Sequence, residues 1–196
     1  MKKLLFIASH LGSGYEKLGA ILNENNRIMM YSTGMVYSHP ENVRILYDFG
    51  HKLDNSAAIY GDYILFNPNL SHSSYYDFAK FIYVISSAEY TLNKLIEDDY
   101  DELRACRYYC FRLRRIYEMA RRTPGAVLLT RDNLQDQKGA DLIEDYLELP
   151  DKLDFSSLFI NAPNSNVIKP SLVEEAQNTY EKYLYNMRQL DLRLIR

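Results

Sequence analysis

Short apolar runs recur along this chain and are separated by segments long enough to form helices. Five runs are nearly continuous, which is typical of parallel strands that are covered on both faces. They comprise Leu4–Ala8, Arg27–Tyr31, Tyr63–Phe66, Phe81–Ser86 and Ala126–Thr130. This alternation of strands and helices predicts a three-layer α/β fold with a mainly parallel sheet. Because the chain has neither a repeat nor a linker-like segment, we expect residues 1–196 to form a single domain.

Helix-like patterns occupy the intervals between the apolar runs. They predict helices over Ser13–Asn25, Ala88–Glu97, Asp101–Arg122, the end of Asn133–Leu149, and Ser171–Gln189. A further helix is predicted to begin at Ser38, because Glu41 three residues later gives a capping-box pattern. In the long helix, apolar positions at helical spacing predict a seam against the sheet. This seam consists of Leu103, Cys106, Cys110, Leu113, Tyr117 and Ala120.

Composition and charge narrow the possible functions. The formal net charge of −3 argues against a general binder of nucleic acid or of anionic membranes, since such proteins are usually basic. No run approaches the roughly 20 apolar residues that cross a bilayer. The two cysteines, Cys106 and Cys110, have a spacing that matches no zinc signature. We therefore predict reduced structural thiols, no metal ion and a cytoplasmic location.

The first apolar run leads into a glycine-serine turn and then into a helix. Gly12, Ser13 and Gly14 form this turn, and Lys17 follows within the first helical turn. Backbone amides at such a helix N-terminus can hold a phosphate, with Lys17 as the counter-charge. In the alternative interpretation, Ser13 caps the helix and Glu16 completes a capping box. A carboxylate in the first turn would repel a phosphate, and both interpretations stay open at this point.

Three stretches of the chain together form a recognisable pattern. They are Leu4–Asn25, Ala79–Ile85, and a third made of Tyr117–Arg122, Gly125–Leu134 and Tyr146–Pro150. The first resembles the opening strand, phosphosulfate loop and helix of the sulfotransferase family. The second is similar to the strand that precedes the family's 3′-phosphate-binding residues, and the third to its later helix, strand and terminal motif. The resemblance implies a P-loop-related, sulfotransferase-like fold that uses 3′-phosphoadenosine 5′-phosphosulfate.

Candidate cofactor-binding residues lie at two predicted strand ends. The Gly12–Gly14 turn and Lys17 would hold the phosphosulfate group, and Ser86 with Ser87 could donate hydrogen bonds to a phosphate or a sugar. The chain departs from the family pattern at several positions. Gly12 stands where the family has a basic residue, Tyr15 and Glu16 where it has hydroxyls, and Ser86 and Lys94 where it has an arginine and a serine. A serine-rich turn is also a common helix cap, which is the alternative role of Ser86 and Ser87.

Arginines and histidines supply the remaining candidates. Arg114 and Arg115 of the long helix could clamp a phosphate, and a solvated basic face is the alternative. His10 and His72 lie near predicted strand ends, where the ligand crevice of an open α/β sheet forms. Either histidine could act as general base toward a hydroxyl acceptor. The place of the family's catalytic histidine reads Phe66-Asn67-Pro68 here, and His72 is the nearest histidine.

These features lead to two competing functions. An active protein would transfer a sulfuryl group from 3′-phosphoadenosine 5′-phosphosulfate to a hydroxyl or amine of a small molecule or glycan. The alternative is a pseudoenzyme, an inactive member of the fold that acts as a binding or interaction module, because the family's basic loop residue, loop hydroxyls and arginine are replaced. A nucleotide or nucleoside kinase is disfavoured, since the GxxxxGK[ST] spacing is missing. The sequence predicts no particular oligomeric state.

Overall fold

The computed structural model describes residues 3–30, 58–65, 79–155 and 168–195. The strands are β1 (Lys3–Ser9), β2 (Ile28–Met30), β3 (Ile59–Ile64), β4 (Lys80–Ile85) and β5 (Val127–Thr130). The helices are α1 (Tyr15–Glu24), α2 (Ala88–Glu97), α3 (Glu102–Ala120), α4 (Gln137–Leu147) and α5 (Pro170–Arg188), and a 3-10 helix spans Arg131–Gln135. The helix predicted to begin at Ser38 lies outside the described residues.

The five strands form one parallel sheet in the order β2-β3-β1-β4-β5. The central strand β1 is apolar from Leu4 to Ala8 and is buried throughout this stretch, which suits a position between two neighbouring strands. The chain leaves β1 toward β3 and β2 on one side and resumes at β4 on the other. The strand order therefore reverses between β1 and β4, the place where open α/β sheets form a ligand crevice at the carboxyl ends of their strands.

Helices cover both faces of the sheet. On one face, α1 and α4 pack through residues such as Leu18 and Ile143. On the other face, α2, α3 and α5 pack through residues such as Leu92, Leu113 and Ala176. The predicted three-layer α/β class is confirmed. Among the described helices, none combines the length and apolar character needed to cross a membrane.

Strand β3 starts four residues earlier than the sequence predicts. Of the apolar run Tyr63–Phe66, Tyr63 and Ile64 form the end of this strand, and Phe66 lies outside the described residues. Gly61 and Asp62 interrupt the hydrophobic pattern before them. Gly61 leaves room for the Met30 side chain, which lies where a β-carbon would be. Asp62 is buried, and its Oδ1 accepts a hydrogen bond of 2.7 Å from the amide of Tyr63. Because a glycine and a buried carboxylate interrupt the apolar pattern, hydrophobic periodicity alone does not reveal the start of this strand.

Helix α3 buries Cys106, Leu113 and Ala120 of the predicted seam, but the seam is only partly correct. Leu103 of the predicted seam is 46 % exposed, so that part of the prediction is wrong. The buried positions are Ala105, Cys106, Tyr109, Arg112, Leu113, Ile116, Met119 and Ala120. Arg112 lies on this buried face, although a charged residue is assigned to the exposed face when a helix is predicted from its hydrophobic pattern. The hydrogen bonds described below explain its burial.

Candidate functional site

Two strand-to-helix turns meet where the strand order reverses. The β1–α1 turn comprises residues 10–14, and the β4–α2 turn comprises residues 86–87. Ser9 Oγ donates a hydrogen bond of 2.7 Å to the carbonyl of Val84, and the amide of Ser86 donates one of 3.0 Å to Nε2 of His10. Both helices begin at this edge of the sheet, so their positive dipole ends face the same crevice.

The β1–α1 turn depends on two glycines in the left-handed region. Gly12 has φ 77° and Gly14 has φ 90°, values that glycine adopts without strain. A β-carbon on Gly12 would lie 3.2 Å from Cβ and Cγ of Lys94 on α2. A basic side chain at position 12 would therefore be strained and crowded. The stem of Lys94 lies over the turn instead.

Ser13 does not cap helix α1, and the capping-box prediction is wrong. The residue before the helix is Gly14, and no side chain caps the first turn. Ser13 is fully buried, and its Oγ shares a hydrogen bond with Oγ of Ser9 at the end of β1. Glu16 is exposed on the first turn. Because the Ser9 hydroxyl offers Ser13 a partner inside the fold, Ser13 points toward the strand rather than into the crevice.

His10 links the two turns through both of its ring nitrogens. Its side chain is fully buried, Nδ1 lies 2.9 Å from the carbonyl oxygen of Leu11, and Nε2 accepts the amide of Ser86. Since a carbonyl can only accept, Nδ1 carries the proton and the ring is neutral. Burial lowers the pKa of His10 to about 4; the hydrogen bond to Leu11 opposes this shift and the charge of Arg112 adds to it. This geometry leaves His10 no free lone pair for an acceptor's proton.

Two tyrosines of α3 form hydrogen bonds with the backbone of the two turns. The amide of Leu11 donates a hydrogen bond of 3.0 Å to the hydroxyl of Tyr108. The hydroxyl of Tyr109 donates one of 2.6 Å to the carbonyl of Ser86, and its ring meets His10 edge-on at 5.2 Å between centroids. Neighbouring positions of one helix therefore fix the backbone of both turns.

Arg112, one helical turn beyond Tyr108, completes this support. Its Nε donates a hydrogen bond of 2.7 Å to the carbonyl of Ser9, and its Nη2 donates to the carbonyl of Ile64. These two carbonyls end the neighbouring strands β1 and β3. Sequence reasoning missed Arg112, and only its position on the buried side of α3 could have distinguished it from the other arginines.

Arg114 and Arg115, the arginines that the sequence suggested as a phosphate clamp, contact Glu118 on the same helix instead. Arg115 Nη1 lies 2.7 Å from Oε2 of Glu118, and Arg114 Nε lies 3.6 Å from Oε1 of the same carboxylate. Both guanidinium groups also stack on the ring of Phe111. These contacts match the solvated basic face, the alternative to a phosphate clamp.

The β4–α2 turn offers polar groups that the fold itself does not use. Ser86 is 1 % exposed, and its Oγ has no hydrogen-bond partner within the described residues. Ser87 is exposed, precedes α2, and makes no capping hydrogen bond through its side chain. A buried hydroxyl without a hydrogen-bond partner, like that of Ser86, is uncommon in folded proteins. The turn can therefore donate to a ligand in the crevice.

Charges around the crevice have both signs. Lys17 is exposed on α1, and Lys94 on α2 lies 3.3 Å from Glu97 and 3.2 Å from Asp98. Two further carboxylates, Glu16 and Glu89, occupy the first turns of α1 and α2. An anion bound here would gain from two helix termini and two lysines and would be opposed by the glutamates. His72 and Phe66-Asn67-Pro68 lie outside the described residues.

Comparison with known proteins identifies a related fold. The chain is similar to a solved sulfotransferase from Alicyclobacillus acidocaldarius, with a TM-score of 0.53 and 12% sequence identity. The similarity covers 97% of this chain and 96% of that chain. No protein-family model matches the sequence, and a search of curated proteins gives no significant match. At this identity the likeness shows the fold alone, which is sulfotransferase-like over almost the whole length.

Proposed function

We propose that this protein binds 3′-phosphoadenosine 5′-phosphosulfate in the crevice between the two turns and transfers the sulfuryl group to a hydroxyl or amine. One observation carries the proposal: Ser86 Oγ is buried without a partner in the described part of the chain, where two helix N-termini meet. The sulfotransferase-like fold supports this location, because the crevice forms at its strand reversal.

Three groups of this chain fit the phosphates of such a donor. The amide of Lys17 bonds to the carbonyl of Gly14, whereas the amides of Tyr15 and Glu16 precede the first hydrogen bonds of α1 and can donate to an anion at its N-terminus. Lys17, in the first turn of α1, supplies a positive charge that no described ion pair neutralises. Ser86 and Ser87 supply hydroxyl donors from the facing turn. Together these groups would hold a phosphate and position the neighbouring sulfuryl group.

The same charges set the strength of binding. A carboxylate such as Glu16 in the first turn of α1 opposes a bound anion by about 1–4 kcal/mol at a few Å, depending on local screening. The helix dipole contributes about 0.3–1 kcal/mol. The repulsion by Glu16 thus equals or exceeds the favourable energy from the helix dipole. We therefore expect Glu16→Gln to strengthen binding of a phosphorylated ligand about fivefold or more. We expect Lys17→Ala to weaken it by a similar factor.

The donor, when bound, supplies an activated sulfuryl group, and the protein must remove a proton from the acceptor. His10 is unsuited to this step because its protonated Nδ1 and its Nε2 are both engaged within the fold. We assign His10 the role of a positioning residue, which keeps the two turns together. His72, which follows β3 in the sequence and lies outside the described residues, remains the proposed general base.

Calorimetric titration with 3′-phosphoadenosine 5′-phosphate tests donor binding without requiring an acceptor. We expect micromolar binding by the unaltered protein, weaker binding by Lys17→Ala and stronger binding by Glu16→Gln. Lys182→Ala is the matched control, because Lys182 lies on α5 over the ring of Tyr183. Absence of binding at millimolar concentration would contradict the proposal, as would equal losses in Lys17→Ala and Lys182→Ala.

A second candidate function is a non-catalytic binding module, favoured by the internal hydrogen bonds of the β1–α1 turn. Ser13 and His10 are both used within the fold, so this turn offers amides but no free side-chain hydroxyl. The two functions separate in a transfer assay with labelled donor and a panel of hydroxyl and amine acceptors. Binding of the donor product with no transfer to any acceptor would favour the module.

A further inference from the structure

Helices α3 and α5 bring three potential metal ligands together on the side of the sheet away from α1. Cys106 and Cys110 are one turn apart on α3, and Glu175 lies on α5. One ligand atom from each of the three lies within 4.8 Å of the other two. Cys106 is buried in the core, as predicted, whereas Cys110 is only half-buried, and both sulfurs lie close to Glu175 of α5.

We infer that Cys106, Cys110 and Glu175 form a binding site for a thiophilic divalent cation, with Zn²⁺ as the expected metal. Two thiolates and one carboxylate are ligands that zinc commonly takes in proteins, and a water molecule would complete a tetrahedral set. No sequence motif indicated this site, because zinc motifs are recognised by short ligand spacings and the third ligand lies 65 positions from Cys110.

The observed spacing requires only a small contraction to accept the ion. With zinc–sulfur bonds of about 2.3 Å, tetrahedral geometry separates two sulfurs by about 3.8 Å. The three ligand atoms already lie within 4.8 Å of one another. Cys110 is half-buried and Glu175 is exposed, so both side chains have room to adjust. Cys106 is fixed more firmly, since it is 1 % exposed and its thiol lies 3.5 Å from the carbonyl of Leu172 on α5.

Binding of the ion would anchor α5 to the rest of the fold. This helix spans 19 residues, yet only Ala176 and Met187 are fully buried in it. Ala176 is the neighbour of Glu175, so the metal would lie where α5 first enters the core. Both thiols release a proton when they coordinate zinc, and the two thiolates with the carboxylate supply three negative charges to the divalent ion.

Titration of the reduced, metal-free full-length protein with Co²⁺ tests the site directly, because cobalt bound to thiolates absorbs in the near ultraviolet. We expect one equivalent to produce this band and one equivalent of Zn²⁺ to abolish it. Cys110→Ser should retain about half of the band. Glu175→Gln should retain its intensity but weaken Zn²⁺ affinity at least tenfold. Zn²⁺ should raise the Tm of the unaltered protein.

Glu174→Gln is the matched control, since Glu174 is an exposed neighbour on the same helix and is not among the three ligands. It should bind cobalt and zinc like the unaltered protein. The inference is overturned if the unaltered protein shows no cobalt–thiolate band, or if Glu174→Gln and Glu175→Gln reduce affinity equally. Because the test uses no phosphorylated ligand, its outcome is independent of the donor site. Cys110→Ser, altered at a half-buried position, keeps the test valid should Cys106→Ser fail to fold.

Discussion

The β1–α1 turn and the β4–α2 turn occupy equivalent places at the ends of adjacent strands, yet they use their polar groups differently. In the β1–α1 turn, Ser13 and His10 are buried and bonded to other parts of the protein. In the β4–α2 turn, Ser86 keeps a hydroxyl without a partner in the described residues, and Ser87 faces solvent. The comparison teaches that the side chains of the first turn serve the fold, whereas the side chains of the second are available to a ligand.

The largest expected effect concerns the support of the β1–α1 turn. Arg112→Ala removes two hydrogen bonds from a buried guanidinium to strand-end carbonyls. Charged hydrogen bonds contribute about 1.5–3 kcal/mol each, so unfolding free energy should fall by about 4 kcal/mol. Urea unfolding monitored by circular dichroism measures this loss. The exposed Arg114→Ala should cost less than about 1 kcal/mol, and a loss as large as that of Arg112→Ala would contradict the distinction.

The next effect is the pH dependence that His10 gives the β1–α1 turn. Its pKa is about 4 in the folded protein and 6.5 in the unfolded chain, so folding favours the neutral ring. The contribution of neutral His10 to the free energy of unfolding is fully present above pH 6.5. It is lost as pH falls toward 4, at up to about 1.4 kcal/mol per pH unit. Unfolding of the unaltered protein and of His10→Gln should differ most above pH 6.5. A difference that is independent of pH would exclude a neutral buried His10.

A smaller effect separates the serines of the two turns. Ser13→Ala removes a buried hydrogen bond to Ser9 and should lower stability by about 1–2 kcal/mol. Ser87→Ala should change it by less than about 0.5 kcal/mol, because the Ser87 side chain makes no capping hydrogen bond. Parallel thermal unfolding of the two variants measures both values. Equal destabilisation by the two substitutions would contradict the difference between the turns, because both serine side chains would then stabilise the fold to the same extent.

The sheet could be predicted from the sequence because buried parallel strands leave continuous apolar runs, as in Leu4–Ala8. Such reasoning failed where a hydrogen-bond partner in another element decides a residue's role. Ser13 matches a helix cap by local spacing, but the Ser9 hydroxyl provides a closer partner. Arg112 counts as polar in any helical pattern, although strand-end carbonyls hold it inside the protein. Local pattern predicts helices and strands, whereas the roles of Ser13 and Arg112 depend on hydrogen-bond partners in neighbouring elements.

Hydrogen exchange of the unaltered protein with and without 3′-phosphoadenosine 5′-phosphate tests the central claim most directly. If the ligand occupies the crevice, backbone amides at the start of α1 and at residues 86–88 should both exchange more slowly in its presence. Amides of α5, far along the chain from both turns, should change little. Protection confined to regions other than the two turns, or no protection at saturating ligand, would contradict the account.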